Sequence, residues 1–479
     1  MYDTIHEECG VFGIYGEAGT DAVALTYLAL YALQHRGQES CGIAVNDDGV
    51  ISYYRDVGLV PEVFTRERLQ RIGTGNMAMG HVRYAADGAQ NRSNAQPLVV
   101  RHVKGTMALG HNGNLINSAR LRNDLEMQGA IFHSTTDTEV MSHYIIKERL
   151  SSNSIEEALE KAMRRFEGAY SMVIMSPSKL IAARDPIGFR PLCMGKIGQS
   201  VVFASETCAL DAIGAQFVRD IDPGEIVVVT KSGVRSIRTH VREESRGNMC
   251  VFEFIYFARP DSVIEGVSVH AARLEAGRLL AQSHPVEADV AIGVPDSGLD
   301  AALGFSQESG IPYGVGFIKN RYVGRAFIQA TQGQRETTMG IKLNAVAETV
   351  KNKRVVLVDD SIVRGTTSWR IVKLLREVGA REVHMRISAP PFRHPCYFGT
   401  DIDNREKLIA NKMSVEQIAQ KIGVDSLGYL SIEDIGKIAR GARCGFCSGC
   451  FTGSYPLPEP APQPKSKFEQ RIGERKNDD

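Results

Sequence analysis

The chain has 479 residues, of which 56 are lysine or arginine and 56 are aspartate or glutamate. This length exceeds one ordinary hydrophobic core, so it predicts two domains. The balanced charge offers no basic surplus for nucleic acid or an anionic membrane, and no apolar run is long enough to span a bilayer. Because the acidic start is also unlike a secretory signal, we expect a soluble cytoplasmic protein. Its nine cysteines then serve as thiols, in catalysis or in metal binding rather than in disulfides.

The first half is dominated by short strand-like runs that Gly, Asn and Asp interrupt. The string GVFGIYG, which begins at Gly10, and an apolar run that ends near Thr230 are examples. Between Asp21 and Arg36 the apolar residues recur at helical spacing, and Gly37 is a stop signal. This half therefore predicts a layered α+β domain.

The pattern changes after about residue 245. Apolar strands then alternate with amphipathic helices, as in the strand Val355–Val358 and the helix that follows it. This alternation predicts a parallel sheet in a doubly wound α/β domain. The end of the chain is rich in Pro and charge without a core-forming face, and it predicts a disordered tail.

An acidic pair, Asp359 and Asp360, ends the predicted strand at the edge where open α/β sheets bind ligands. The loop Ser361–Thr367 comes next, with Gly365 free to adopt unusual backbone angles and two threonines available as helix caps. Backbone N–H groups and the helix dipole would favour a phosphate there. The alternative is that two acids cap a strand and the loop only turns the chain.

The whole string VVLVDDSIVRGTT resembles the phosphoribosylpyrophosphate (PRPP) motif of type I phosphoribosyltransferases, whereas no Walker motif occurs. The resemblance implies that the loop holds the 5-phosphate, through Ser361, Arg364, Gly365, Thr366 and Thr367. It also implies one Mg²⁺ per active site, held by Ser297, Asp359 and Asp360. Hard oxygen ligands suit Mg²⁺, which would stabilise the pyrophosphate leaving group.

Several cationic residues lie between the string GVPDSG, which contains Ser297, and the predicted strand Val355–Val358. Any one of them alone would be expected on a solvated surface. As a set near the site they suit a mobile clamp for pyrophosphate, formed by Lys319, Arg321, Arg325, Arg335 and Lys342.

Five short strings in the first half, CGVFGI, LQHRGQES, GHVRYA, GHNGNL and TTDTEV, together resemble class II glutamine amidotransferases. The resemblance implies an N-terminal-nucleophile hydrolase fold, in which two sheets lie between layers of helices (αββα). It assigns Cys9 as the nucleophile and Asn112 and Gly113 to the oxyanion hole. Arg83 and Asp137 would bind the α-carboxylate and α-ammonium of glutamine.

Both motif sets together resemble the amidophosphoribosyltransferases, in their iron–sulfur, leader-processed branch. The expected organisation is a propeptide at 1–8, an amidotransferase domain at 9–235, a phosphoribosyltransferase domain at 245–453 and a tail at 454–479. The resemblance implies transfer of the glutamine amide nitrogen to PRPP in purine synthesis. The alternatives are another class II amidotransferase or a PRPP-sensing regulatory protein.

Cys9 gains a chemical role only as the first residue of the mature chain. A free α-amine has a pKa of about 7.7–8.0, near the value of about 8.5 for a thiol, so it can take the thiol proton. While Glu8 is attached, that nitrogen is an amide and cannot act as a base. Removal of residues 1–8 is therefore expected.

Three cysteines, Cys444, Cys447 and Cys450, form overlapping C-x-x-C pairs near the end of the chain. Such pairs fit zinc or an iron–sulfur cluster, and unliganded thiols are the plain alternative. The family resemblance favours one structural [4Fe-4S] cluster per chain, held by Cys250, Cys396, Cys447 and Cys450, with Cys444 left out. It also implies a homotetramer inhibited by purine nucleotides, with no nucleic acid or membrane partner.

Overall fold

The structure is a computed structural model that describes residues 9–84, 91–242, 247–320, 343–400, 402 and 404–460. The expected propeptide, residues 1–8, lies outside the described residues. The contacts divide the chain into two compact units. Of the described residues, the N-terminal unit takes those up to Cys250 together with 397–400 and 455–460, and the C-terminal unit takes those within Val251–Cys396 and Ile402–Ser454.

The N-terminal unit is built from strands and helices that alternate along the chain. The strands are β1 (Gly10–Tyr15), β2 (Ser40–Asp47), β3 (Val50–Val57), β4 (Met77–Arg83), β5 (Leu98–His102), β6 (Gly105–Leu115), β7 (Gly168–Met175), β8 (Leu180–Arg184), β9 (Cys193–Ile197), β10 (Ser200–Ala204), β11 (Gln216–Asp220), β12 (Ile226–Thr230), β13 (Gly233–Ile237) and β14 (Asn248–Cys250). The helices are α1 (Ala22–Ala32), α2 (Val60–Val63), α3 (Arg66–Ile72), α4 (Ser118–Glu126), α5 (Asp137–Leu150), α6 (Ile155–Met163) and α7 (Thr207–Ala212).

Two antiparallel sheets form the middle of this unit, with the strand orders β11-β9-β10-β1-β4-β2-β3 and β13-β12-β8-β7-β6-β5. Apolar side chains of both sheets, such as Met79 and Val173, share one core between them. A second core joins the first sheet to α1 and α7, and a third joins the other sheet to α4, α5 and α6. The layers are therefore αββα, as the resemblance to class II glutamine amidotransferases implies.

The predicted helix after Asp21 ends earlier than its apolar pattern suggests. Helix α1 ends at Ala32, and the chain continues into a separate 3-10 turn, Gln34–Arg36, before Gly37. This turn changes the direction of the chain, and it brings Arg36 into the interior of the unit.

The C-terminal unit contains strands β15 (Val263–Ile264), β16 (Val267–Ser268), β17 (Val290–Gly293), β18 (Phe317–Lys319), β19 (Leu343–Ala345), β20 (Arg354–Asp359), β21 (Glu382–Ile387), β22 (Ser426–Tyr429) and β23 (Gly445–Cys447). Its helices are α8 (Val269–Ser283), α9 (Gly298–Ser309), α10 (Ala347–Val350), α11 (Thr366–Glu377), α12 (Val415–Ile422), α13 (Ile432–Ile435) and α14 (Gly449–Thr452). Strands β17, β20, β21 and β22 form a parallel sheet in the order β17-β20-β21-β22. The parallel α/β prediction for the second half is confirmed.

The start of the predicted tail packs against the N-terminal unit. The ring of Tyr455 lies 5.1 Å from the ring of Tyr397 and 6.0 Å from that of Phe398. Residues 461–479 lie outside the described part of the chain. Among the residues that the structure describes, no helix is both long and apolar enough to cross a membrane.

Candidate functional site

Cys9 lies immediately before β1, in the centre of the first sheet. Its backbone carbonyl accepts a hydrogen bond from Arg36 Nε at 3.1 Å. Gly10, the next residue, pairs with Val82 of β4. A side chain at Gly10 would lie 3.5 Å from the Arg36 stem and 3.0 Å from Val82, so glycine allows this close packing.

A buried group of polar residues surrounds the Arg36 side chain. Arg36 donates to Glu206 Oε1 at 2.6 Å, and His35 Nε2 lies 2.7 Å from the same oxygen. Burial would raise the pKa of Glu206, but the charges of His35 and Arg36 lower it well below its usual range. Ligand atoms of His35, Glu206 and Cys208 lie within 4.8 Å of one another, as in a metal site. The guanidinium already supplies the cation there, so this group is an ion-pair network.

Asn112 and Gly113 lie on β6, which pairs with β7 so that Gly113 faces Tyr170. Gly113 has a φ of 137°, and a Cβ on it would lie 2.1 Å from the carbonyl oxygen of Ala169. Only glycine therefore fits. The Asn112 side chain is 1% exposed, and neither its Nδ2 nor its Oδ1 has a hydrogen-bond partner in the described protein. A buried, unsatisfied amide is costly, and it is suited to a ligand oxygen.

Two buried histidines support this strand. His81 Nε2 lies 2.9 Å from the backbone oxygen of His111, and His111 Nδ1 lies 2.9 Å from Thr138 Oγ1. Burial lowers the pKa of His81 to about 3. These contacts give both histidines a structural role.

Asp137 begins α5 close to this network. Its Oδ2 accepts a hydrogen bond from the backbone N–H of Leu115 at 2.9 Å and lies 3.4 Å from His111 Nε2. Burial acts to raise the pKa of Asp137, but the His111 charge and these hydrogen bonds lower it overall. Asp137 is therefore an anion beside His111, the residue that precedes Asn112 on β6.

Arg83 ends β4 and has a carboxylate partner that the sequence did not indicate. Its Nη1 lies 2.9 Å from both oxygens of Glu39. The side chain of Arg83 is 14% exposed and that of Glu39 is 6% exposed. Residues 85–90, which follow Arg83 and Tyr84, lie outside the described residues.

In the C-terminal unit, the predicted acidic pair lies at the carboxyl end of β20. Ser297 Oγ donates to Asp360 Oδ2 at 2.5 Å, Ser361 Oγ donates to Asp360 Oδ1, and the Asp360 N–H donates to Asp359 Oδ1 at 2.9 Å. Burial raises the pKa of Asp359 well above its usual range, and the Asp360 charge raises it further. Burial also raises the pKa of Asp360, although both serine hydroxyls act in the opposite direction.

The loop after this pair leads directly into α11. Gly365 has a φ of 86° and occupies the N-cap position itself, without a side-chain cap. The prediction that Thr366 and Thr367 cap this helix is therefore wrong, because both lie inside its first turn. The loop is held by a 2.9 Å hydrogen bond from the Ile409 N–H to the Val363 oxygen.

Among the predicted pyrophosphate cations, Lys319 is described, at the end of β18. Its Nζ lies 2.5 Å from Asp296 Oδ2, and both side chains are largely exposed. Arg321, Arg325, Arg335 and Lys342 lie outside the described residues.

Arg273, on α8, is a buried residue that no sequence motif indicates. It donates to the backbone oxygens of Phe254, Tyr256 and Ala258, which belong to or follow the π-helix Glu253–Phe257. Its charge also lowers the pKa of Asp360. An arginine in a helix that carries no motif offers no sequence signal for this arrangement.

Within the C-terminal unit, backbone hydrogen bonds hold the segments that carry the predicted cluster cysteines. The N–H groups of Arg393 and His394 donate to the Cys450 oxygen at 3.1 and 3.0 Å, and Cys396 follows His394 by two residues. The Val251 N–H donates to the Cys447 oxygen at 3.3 Å. Cys250, which precedes Val251, is assigned to the N-terminal unit.

Comparison with known proteins assigns a stretch in each half of the chain to a domain family. The glutamine amidotransferase domain family matches residues 81–212, and the phosphoribosyl transferase domain family matches residues 268–404. The fold and its two sites therefore define an enzyme that joins glutamine amidotransferase and phosphoribosyltransferase chemistry.

The chain is 48% identical to the amidophosphoribosyltransferase of Archaeoglobus fulgidus, over 94% of this chain and 98% of that protein. It is 47% identical to the Bacillus subtilis enzyme, over 94% of each chain. The structure solved for glutamine PRPP amidotransferase from B. subtilis, complexed with ADP and GMP, has a TM-score of 0.87 and covers 94% of this chain and 97% of that one. The chain belongs to the amidophosphoribosyltransferase family.

The enzyme transfers the amide nitrogen of glutamine to PRPP and yields 5-phosphoribosylamine, glutamate and pyrophosphate, in the first committed step of purine biosynthesis. The presence of both domains favours this reaction over the other class II amidotransferases and over a PRPP-sensing regulator.

Proposed function

We propose that Cys9, Asn112 and Gly113 perform glutamine hydrolysis. The Cys9 thiol attacks the amide carbon, and its own α-amine takes the thiol proton and returns it to the departing ammonia. Water then cleaves the thioester to release glutamate. This assignment requires removal of residues 1–8, which frees the α-amine.

The observation that carries this proposal is the buried Asn112 amide, which has no partner in the described protein. An oxyanion that develops on the substrate carbonyl would supply the missing acceptor for Nδ2. Gly113 allows the backbone to approach closely at the same position.

Arg83 and Asp137 are proposed to bind the α-carboxylate and α-ammonium of glutamine. The bond of Arg83 to Glu39 and that of Asp137 to Leu115 fix both side chains before substrate arrives. The Asp137 pKa lies below its ordinary value, which favours the anion needed to bind an ammonium group.

For the second half-reaction, we propose that ammonia attacks the anomeric carbon of PRPP and displaces pyrophosphate. Ser361, Arg364, Gly365, Thr366 and Thr367 form the loop for the 5-phosphate at the start of α11. Lys319, Arg321, Arg325, Arg335 and Lys342 are proposed to hold the pyrophosphate.

One Mg²⁺ would be held by Asp359, Asp360 and Ser297. Their oxygens are hard donors. Burial raises the pKa of both carboxyls because a buried negative charge is costly, and a bound cation would offset that cost. When bound, Mg²⁺ supplies charge stabilisation for the leaving pyrophosphate.

We further propose a structural [4Fe-4S] cluster held by Cys250, Cys396, Cys447 and Cys450. Four thiol donors suit such a cluster, and the backbone hydrogen bonds near Cys396, Cys447 and Cys450 support convergence of these segments. Zinc is the competing occupant of four thiolates. With this cluster and with removal of residues 1–8, the chain would belong to the leader-processed, iron–sulfur branch of the family.

Purine nucleotides are proposed as feedback inhibitors, a homotetramer as the assembly and the cytoplasm as the location. The B. subtilis relative complexed with ADP and GMP supports nucleotide regulation. Inhibition assays and sedimentation equilibrium would test the first two of these proposals.

The direct test of the division of labour is Cys9→Ala. This variant should lose glutamine-dependent synthesis and retain synthesis from added ammonia at high pH, because the PRPP site needs only ammonia as the nucleophile. Glutamate release, PRPP consumption and N-terminal sequencing should be measured together. Loss of both activities in a folded variant, or an active protein that still carries residues 1–8, would contradict the proposal.

A further inference from the structure

The fully buried Arg36 side chain contacts the backbone of Cys9, the proposed nucleophile. Its Nε donates to the Cys9 carbonyl at 3.1 Å, and its Nη1 donates to Glu206 at 2.6 Å. The side chains of both Arg36 and Glu206 are 0% exposed. Removing two charges from water costs free energy that can exceed their mutual attraction, so stabilisation of the fold alone does not readily explain a buried pair of this kind.

The contact matters because of the position that Cys9 takes in a processed chain. An N-terminal residue has no preceding peptide group, so no peptide plane restrains its α-amine. Its own carbonyl then becomes the main backbone group through which the protein can hold it. A hydrogen bond to that carbonyl fixes the Cys9–Gly10 peptide, and so restrains the directions of the α-amine and the thiol from Cα.

The residue that precedes Glu206 is hydrogen-bonded to β1. The Val11 N–H donates to Ser205 Oγ at 2.9 Å, and the Ser205 N–H donates to the Val11 oxygen at 3.0 Å. Cys208 Sγ also donates to the second Glu206 oxygen, Oε2, at 3.6 Å. Ser205, which precedes Glu206, is thus hydrogen-bonded to β1, the strand that follows Cys9, and this fixes the backbone next to the carboxylate that orients Arg36.

We propose that the Arg36–Glu206 pair positions the Cys9 nucleophile for glutamine hydrolysis. The inference rests on the proposed function, in which Cys9 attacks glutamine. The Arg36 side chain contacts the backbone carbonyl of Cys9, so Arg36 acts through Cys9 as a positioning residue. A purely structural ion pair would instead affect every activity in proportion to the amount of folded enzyme.

Arg36→Lys separates these two roles, because lysine keeps a positive charge for Glu206 but lacks the Nε–H that reaches the Cys9 carbonyl. We expect the kcat for glutamine hydrolysis to fall by about 10²-fold, as for other small misplacements of reacting groups. The KM for glutamine should stay within about twofold, since the Arg36 side chain is 0% exposed. Ammonia-dependent synthesis should be unchanged. The rate at which iodoacetamide alkylates Cys9 should fall, and its pH profile should shift.

Arg184→Lys is the matched control in the same unit. Arg184 is 1% exposed and donates to the backbone oxygens of Arg190, Ile221 and Gly188, but not to Cys9. This variant should leave the kcat for glutamine hydrolysis per folded enzyme and the Cys9 alkylation profile unchanged. A fall in kcat equal to that of Arg36→Lys would overturn the inference.

Glu206→Gln provides a second variant if the lysine substitution does not fold. It removes the charge that orients Arg36 and keeps an acceptor oxygen, so we expect a smaller loss in the same kcat with ammonia-dependent synthesis intact. Equal loss of both activities would overturn the inference. If Cys9→Ala retained glutamine hydrolysis, the proposed function would fail. If Cys9→Ala lost glutamine hydrolysis while Arg36→Lys and Glu206→Gln kept the wild-type kcat for that reaction, only the positioning role would fail.

Discussion

The imidazole of His81 is hydrogen-bonded through Nε2 to the backbone oxygen of His111, 2.9 Å away, and His111 immediately precedes Asn112. A carbonyl oxygen can only accept, so Nε2 carries the proton. Because burial lowers the His81 pKa to about 3, the ring is neutral at physiological pH. A neutral, fully buried donor thus holds the peptide next to the proposed oxyanion residue.

This histidine should make the folded state sensitive to mild acid. The unfolded imidazole has an ordinary pKa of 6.5 and the folded one about 3, so between these values the unfolded state binds an extra proton. The free energy of unfolding should fall by about 1.4 kcal/mol per pH unit as the pH drops below 6.5. Urea denaturation between pH 7.5 and 5 should show this slope in the wild type and a reduced slope in His81→Gln. His133→Gln, at a side chain that is 85% exposed, is the control. Parallel curves for wild type and His81→Gln would contradict the prediction.

Asn112→Ala should separate catalysis from stability. We expect kcat for glutamine hydrolysis to fall by about 10²–10³-fold, as when other oxyanion donors are removed. The free energy of unfolding should not fall, because neither amide atom has a hydrogen-bond partner among the described residues to lose.

Asn46→Ala is the matched control for that experiment. Asn46 is also buried, but its Nδ2 donates to the oxygens of Ser176 and Pro177 and its Oδ1 accepts from Gly49. This variant should lose about 1–3 kcal/mol of stability and keep its activity per folded molecule. Similar stability losses in both variants would show that Asn112 has a structural partner in solution.

Gly365→Ala should weaken PRPP binding. Its φ of 86° disfavours a side chain, and the added Cβ would lie 2.9 Å from Ile409 Cδ1. The backbone strain should therefore shift the proposed phosphate loop, even where the Ile409 side chain moves aside. Trp369, the single tryptophan of the chain, lies in the first turns of the same helix and is 44% exposed. Its fluorescence should change on PRPP binding, and the midpoint of the titration should move to higher PRPP in Gly365→Ala.

Gly310→Ala is the control for backbone strain. Gly310 has a φ of 74° at the end of α9, and no atom outside its chain neighbours lies within 4 Å of the position that a Cβ would take. It should lose comparable stability, about 1 kcal/mol, without changing the titration midpoint. Equal midpoints for all three proteins would contradict a phosphate role for the loop.

Cysteine substitutions should distinguish the proposed cluster from zinc. Anaerobically purified wild type should be brown and contain about four irons and four sulfides per chain. Cys447→Ser should lose the iron and much of the stability, whereas Cys444→Ser should keep both. A colourless, fully active protein with stoichiometric zinc would contradict the cluster.

The sequence predicts local features of this enzyme well and distant pairings poorly. The strand before Asp359 and the helix after Gly365 follow from a continuous apolar run and a clear helical period. By contrast, Arg36 and Glu206 are 170 positions apart, and Arg83 and Glu39 are 44 apart. An isolated charged residue carries no signal for such a partner, because the pairing is set by strand order within the sheet.

The error at Thr366 and Thr367 has a similar origin. Threonine is a common N-cap, but here Gly365 adopts the left-handed conformation and ends the loop one residue earlier. The backbone geometry that the loop requires outweighs the side-chain preference of the following residues.

Residues 397–400 belong to the N-terminal unit although they come late in the sequence, and this limits where the chain can be cut into two fragments. Asn114 Nδ2 donates to the Tyr397 oxygen at 2.9 Å, Arg190 Nη2 donates to the Phe398 oxygen at 2.7 Å, and the rings of Phe189 and Phe398 stack 4.2 Å apart. A protein truncated after Cys250 would lack all three contacts. The compact unit that carries the amidotransferase site thus includes residues from the second half of the chain. We therefore expect a fragment cut at the apparent domain boundary to be less stable than the same unit in the whole protein.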